Sequence, residues 1–191
     1  IAEHQPTATV IAAVDEELAR RITAVCATPW FRPYTNTDLI GVELCGAAKN
    51  IIAIGIGAAQ GRGYGDNTTA TLITRGLAEI TRLGLALGAD ADTFAGLAGI
   101  GDLFATCDSP LSRNHQLGRR IGEGMTLADA LAATPGTTEG VKTAVAVLDL
   151  AMRVGVDMPI TRAVVGVLHH GQPVDLMGEM LLARPHKADG V

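Results

Sequence analysis

Aromatic residues supply only 3% of this 191-residue sequence, so its interior must be filled by Ala, Leu, Ile and Val, a composition suited to closely packed helices. Basic residues are also short: 15 Lys and Arg stand against 20 Asp and Glu, a net charge near −5. That balance gives no electrostatic case for nucleic acid, whose phosphates call for a basic face. The three cysteines, Cys26, Cys45 and Cys107, are odd in number and far apart, and read as reduced structural thiols rather than a disulfide or zinc framework. No His-x-x-x-His or His-Glu-x-x-His spacing occurs among the histidines, which argues against a metal site and leaves them as surface or interface residues.

Long hydrophobic runs are missing as well. The most apolar stretch, residues 50–60, falls short of a bilayer's thickness, and longer apolar segments are interrupted by Arg75, Glu79, Arg82, Asp149 and Arg153, so no membrane span is expected. No cationic, apolar, cleavable leader opens the sequence, and a cytoplasmic location is the expectation. There is no internal repeat, no low-complexity tail and no Gly-x-Gly-x-x-Gly phosphate loop after a strand. The glycine-rich GRGYGDN of residues 61–67 follows a predicted helix and has no Lys-Ser/Thr after it, which rules out a P-loop.

What is present is a 48% hydrophobic chain, long enough for one sizeable core or a domain plus part of another. Ile stands first, and residues 7–14 (TATVIAAV) read at once as a buried strand, as if the chain began inside something longer. Asp15 is placed to cap a helix with apolar Leu18, Ile22, Val25 and Cys26, ended by Pro29, and residues 31–36 (FRPYTN) read as a second strand. Such a strand-helix-strand unit belongs at the margin of a parallel sheet.

From residue 37 nearly every segment reads as helix. Residues 38–56 form a long apolar helix, and glycine-rich residues 55–67 are expected to bend or loop. Asp66 and Asn67 should cap a helix over 68–87 that carries Arg75, Glu79 and Arg82 on one side. Further helices are expected at 91–97, through HQLGRRI, after the capping box TLAD (126–129), and over 140–154, 159–169 and 174–183.

Three features could carry chemistry. Lys49 is, apart from Glu43, the only charge between Val42 and Gln60. A desolvated lysine can serve as a general acid or base, whereas a surface lysine merely snorkels. Asp102 stands in the apolar run GIGDLF; it either orients Lys49 or a substrate hydroxyl, or caps a helix. Ser112, Arg113 and Asn114 combine a hydroxyl, a guanidinium and an amide at a helix start, a setting for phosphate and equally an ordinary polar helix entry.

The blocks VELCGAAKNIIAIGIGAAQGRGYGDNTTATLITRGLAEI, GLAGIGDLFATCDSPLSRNHQLG and TTEGVKTA, in that order, resemble the NAD(P)-dependent glycerol-3-phosphate dehydrogenase family, its bacterial form included. The resemblance implies a mainly α fold: an all-helical substrate-binding domain at 37–191, preceded at 1–36 by a strand-helix-strand remnant of a Rossmann α/β domain. It implies an oxidoreductase that interconverts dihydroxyacetone phosphate and sn-glycerol 3-phosphate with NAD or NADP, supplying glycerophospholipid biosynthesis, and a homodimer.

Carried over by motif, Lys49 is the proton donor/acceptor, Asn50 its neighbour at the substrate, and Asp102 the second catalytic residue, with Thr106 nearby. Ser112, Arg113 and Asn114 bind the phosphorylated substrate, and Arg113, Thr137 and Glu139 lie at the dinucleotide. The family usually has Gly where Cys45 stands and a Val or Ala pair where Thr137 and Thr138 stand. With the glycine fingerprint absent, these residues alone are expected to be inactive. The alternatives are a non-catalytic helical module that senses a phosphorylated metabolite or mediates dimerisation, and a related hydroxyacid or 6-phosphogluconate-type dehydrogenase.

Overall fold

Asp15 decides where the first strand stops. Its carboxylate accepts the backbone N–H groups of Glu17 and Leu18, satisfying two donors that a helix start otherwise leaves open. In the computed structural model, which describes residues 1–183, β1 (Thr7–Ala12) therefore gives way to α1 (Glu16–Cys26), and β2 (Phe31–Asn36) returns parallel to β1, with Thr7 opposite Phe31 and Ala12 opposite Asn36. The expected apolar face of α1 is not covered: Ala19 is buried, while Leu18, Ile22 and Val25 stay exposed. A two-stranded sheet offers too little surface to cover them.

The junction with the helical part is tied by short polar side chains. Asn36 accepts the Asp38 N–H through Oδ1 and donates to Thr93 Oγ1 at 3.2 Å. Asp38 in turn accepts the N–H of Gly41 at 2.8 Å and that of Asp90 at 2.9 Å. Partial burial pushes its carboxyl up, but these hydrogen bonds outweigh it and hold the pKa below the usual value. One carboxylate thus caps α2 (Leu39–Gly61) and fixes the turn before α4 (Ala91–Ala95).

The helix α2 is the axis of the core, with Ile51, Ile52, Ile54 and Ile56 fully buried. At 23 residues it is long and apolar enough to cross a membrane, contrary to the shorter run read from the sequence. Its apolarity is used by the helices packed around it instead. It also runs straight through Gly55 and Gly57, where a bend was expected, and leaves only residues 62–65 as a turn. The reason is helix packing: a β-carbon on Gly57 would collide with the His115 carbonyl, and one on Gly118 with the Ile54 carbonyl. These glycines let α6 (Arg113–Gly122) lie backbone to backbone against α2.

The next helix, α3 (Asp66–Ala86), starts two residues earlier than expected, with Gly65 at its cap and Asp66 already helical. Glu79 does not share a solvent face with Arg75 and Arg82. It is fully buried and accepts the N–H groups of Ile160 and Thr161, both at 2.9 Å, and the Thr161 hydroxyl at 2.7 Å. It thereby caps α9 (Pro159–His170), whose own cap position, Met158, has no side-chain acceptor. The remaining elements are α5 (Asp102–Asp108), α7 (Leu127–Ala133), α8 (Glu139–Arg153) and α10 (Val174–Leu182). Thr126 caps α7 as the TLAD box predicted, accepting the Asp129 N–H. Residues 184–191, the end of the expected helical domain, lie outside the described residues.

Candidate active site

Lys49 projects from the middle of α2, one turn beyond the buried Cys45. Its partner comes from an unusual piece of backbone. The expected helix over 91–97 stops at Ala95, and Leu97–Gly101 winds as a single π-helical turn into α5. Gly99 makes that turn possible, because a β-carbon there would run into the Phe94 backbone. Wider turns of this type often mark functional sites. Asp102 is the first residue of α5, is already helical, and makes no capping hydrogen bond.

The carboxylate is used sideways instead: Lys49 Nζ donates to Asp102 Oδ2 at 2.5 Å. The helix-cap reading of Asp102 is thus replaced by the ion pair. The pair is not buried in an apolar run; the side chains are 22% and 41% exposed, which leaves both ends reachable from solvent. Thr106, one turn along, donates its hydroxyl to the Asp102 carbonyl at 2.7 Å.

The Ser-Arg-Asn triplet divides its work. Ser112 Oγ accepts the His115 N–H at 3.3 Å and caps α6, the ordinary role of a hydroxyl there. Arg113 is exposed and lies against Gly136, where a β-carbon would stand 2.6 Å from Nη1 and where φ is +87°. Asn114 is buried; it donates to Asn50 Oδ1 at 2.9 Å and accepts the Gly140 N–H at 3.2 Å. It therefore joins α2, beside Lys49, to the first turn of α8. Thr137 and Glu139 are exposed at that same end of α8.

Two features were missed from sequence. The buried Glu79 shares its spacing with both the apolar positions Leu72, Gly76 and Leu83 and the charged positions Arg75 and Arg82, so spacing alone gave it to the wrong face. His115 is not a surface residue; it is buried and its Nε2 lies 2.8 Å from Gln60 Oε1. The expected thiol character holds: the three cysteines are free, and burial pushes the Cys45 and Cys107 thiols up to about 12. Among the described residues no group of three or more His, Cys, Asp or Glu could hold a metal ion.

A parallel strand-helix-strand unit leading into a helical domain with a Lys–Asp pair and an Arg-bearing helix start defines a two-part α/β-plus-α architecture. The model of the NAD-dependent glycerol-3-phosphate dehydrogenase C-terminus matches residues 38–179, and the chain belongs to that family. It is 57% identical over 189 residues to the glycerol-3-phosphate dehydrogenase (NAD(P)+) of Streptomyces griseus, covering 99% of this chain and 56% of that protein. It is 58% identical over 190 residues to the corresponding enzyme of Corynebacterium diphtheriae, covering 99% and 57%. A crystal structure of glycerol-3-phosphate dehydrogenase from Coxiella burnetii superposes with a TM-score of 0.92 at 38% identity, over 96% of this chain and 56% of that one. The chain thus spans about half the length of the relatives it matches.

Proposed function

We propose that the protein interconverts dihydroxyacetone phosphate and sn-glycerol 3-phosphate, using NAD or NADP, with residues 37–191 as the substrate domain and 1–36 as the end of the nucleotide domain. The observation that carries the reading is the 2.5 Å contact between Lys49 Nζ and Asp102 Oδ2 in a partly open setting, with the start of α6 reached through the Asn50–Asn114 hydrogen bond.

The chemistry follows from these groups. Reducing a ketone builds negative charge on its oxygen; the Lys49 ammonium stabilises that charge and delivers the proton, and Asp102 aims the ammonium. In the reverse direction neutral Lys49 removes the hydroxyl proton. Asn50 and Thr106 border the reacting carbons. Arg113 and the free N–H groups at the start of α6, with Ser112 and Asn114, hold the non-reacting phosphate, whose binding energy fixes the carbonyl.

The exposed guanidinium, hydroxyl and carboxylate of Arg113, Thr137 and Glu139 lie along one edge and suit the amide and hydroxyl groups of a dinucleotide, so these residues would hold its near rim. When bound, that cofactor supplies the hydride. The glycine-rich phosphate loop of such a site is not among these residues, and the 191-residue piece alone should not turn over. Glycerophospholipid supply, a cytoplasmic setting and a homodimer complete the reading by resemblance; sedimentation of the whole protein tests the last.

The test of function is NAD(P)H oxidation by the whole protein with dihydroxyacetone phosphate, repeated with Lys49→Ala. Turnover by the wild type and its collapse in the variant are expected. Undiminished turnover in the variant refutes the acid/base role, and none in the wild type refutes the activity.

A further inference from the structure

Asn114 and His115 are consecutive on α6 and reach α2 at different heights: Asn114 meets Asn50, and His115 meets Gln60, ten residues or about 15 Å further along that helix. His115 is more than nine-tenths buried. Gln60 turns its carbonyl oxygen to the ring while its own amide nitrogen donates to Thr69 Oγ1 of α3 at 3.2 Å. With an acceptor facing it, Nε2 carries the proton. Nδ1 is buried and has no hydrogen-bond partner among the described residues.

That asymmetry makes the charge on the ring matter. A bare lone pair at Nδ1 already carries a desolvation cost, and a proton there would add to it by creating a buried cation with an unpaired donor. The charged groups acting on the ring are Arg119, one turn along α6, and Asp108 of α5; α2 meets it with neutral Gln60, which is itself bonded to neutral Thr69 of α3. Burial first, and Arg119 second, hold the ring's pKa below the usual 6.5, with Asp108 opposing. The positive end of the α6 dipole acts in the same sense as Arg119.

We propose that His115, while neutral, is a positioning residue: its hydrogen bond to Gln60 pins the first turn of α6 to α2 and so holds Arg113 and Asn114 where the substrate phosphate binds. The proposal rests on the phosphate-binding reading of that turn. It adds a residue outside the Ser-Arg-Asn triplet and a pH dependence of phosphate affinity. Above the usual histidine range the ring is neutral in folded and unfolded chains alike and nothing is lost. As pH falls through the lowered folded value, the ring takes up a proton, the Nε2–Gln60 anchor must accommodate a buried cation, and phosphate binding weakens.

The experiment uses the whole protein as wild type, His115→Gln and His115→Leu, with KM for dihydroxyacetone phosphate and kcat measured from pH 5 to 8. Glutamine can donate to Gln60 Oε1 but does not titrate; leucine does neither. The substrate's own phosphate titrates in this range, identically for all three proteins, so differences between them are the readout. At pH 8 His115→Leu should raise KM about threefold to tenfold with kcat within about twofold, and His115→Gln should restore it. At the acid end the wild-type KM should rise above that of His115→Gln.

An unchanged KM in His115→Leu, a loss confined to kcat, or parallel wild-type and His115→Gln curves would each overturn the proposal. Should the wild type not reduce dihydroxyacetone phosphate at all, the dehydrogenase reading fails on its own. Titration with inorganic phosphate then decides this one: weaker binding by His115→Leu than by wild type supports it, and equal binding sinks it.

Discussion

Lys49 Nζ and Asp102 Oδ2 stand 2.5 Å apart although 53 positions separate them in the chain. The contact joins the middle of the core helix α2 to the first residue of α5, which follows directly on the π-helical turn. Lys49→Ala removes the proposed proton donor and should lower kcat by about 10²- to 10⁴-fold. Asp102→Asn keeps the shape but removes the charge that aims the ammonium, and should cost less than Lys49→Ala. Steady-state rates of the whole protein check both; an Asp102→Asn variant with wild-type kcat would detach Asp102 from the reaction.

Asn114 ties three helices with one amide. Replacing it by Ala strands the buried Gly140 N–H and frees the partly buried Asn50 side-chain oxygen, which should lower stability by about 1 to 3 kcal/mol. Urea unfolding measures it. Because Asn50 adjoins Lys49 and Gly140 adjoins Glu139, the same variant should raise KM for both substrate and dinucleotide. A KM change for substrate alone would show that the α8 end is held independently.

The contact between α2 and α6 is set by hydrogen atoms where other residues have side chains. A β-carbon at Gly118 meets the Ile54 carbonyl oxygen, a backbone atom that cannot swing aside. Gly118→Ala should therefore force the helices apart and cost about 1 to 3 kcal/mol, whereas Gly46→Ala, where a β-carbon meets nothing within 4 Å, should be neutral or stabilising. Thermal unfolding of the two variants separates close packing from helix propensity, which favours Ala at both positions.

The same glycines explain what the sequence could and could not disclose. Many strand and helix positions followed periodicity and caps, as Asp15, Thr126 and the span of β2 show, but the π turn and α5 did not. Gly55 and Gly57 read as a bend because glycine's backbone freedom and its use in close approach look alike in one dimension. At the site, Lys49, Asp102 and the Ser-Arg-Asn triplet stood out as charges and donors in apolar or helix-start settings. Their meeting was invisible, since it depends on how the π turn rotates Asp102. His115 and Glu79 were misplaced for a related reason: polar residues at helical spacing signal solvent unless a partner from another helix, Gln60 or Thr161, is known to face them.

Glu79 supplies the most direct pH test. Burial raises its pKa above the ordinary 4.5, and the three hydrogen bonds from Ile160 and Thr161, with the charge of Arg82, only partly oppose it. The folded chain therefore holds this proton to higher pH than the unfolded chain. Stability from this group is fully present below about 4.5 and declines as pH rises through the raised folded value, then levels off. Glu79→Gln keeps an acceptor for α9 and abolishes the titration. The difference in urea midpoint between wild type and Glu79→Gln should shift against the wild type from pH 4.5 to 7.5, other groups cancelling in the comparison. Glu79→Ala should instead lose about 1 to 3 kcal/mol throughout, because the Ile160 and Thr161 donors are left buried and unpaired. A wild-type advantage over Glu79→Gln that grows with pH would mean that the carboxylate is stabilised by the start of α9 more than burial penalises it.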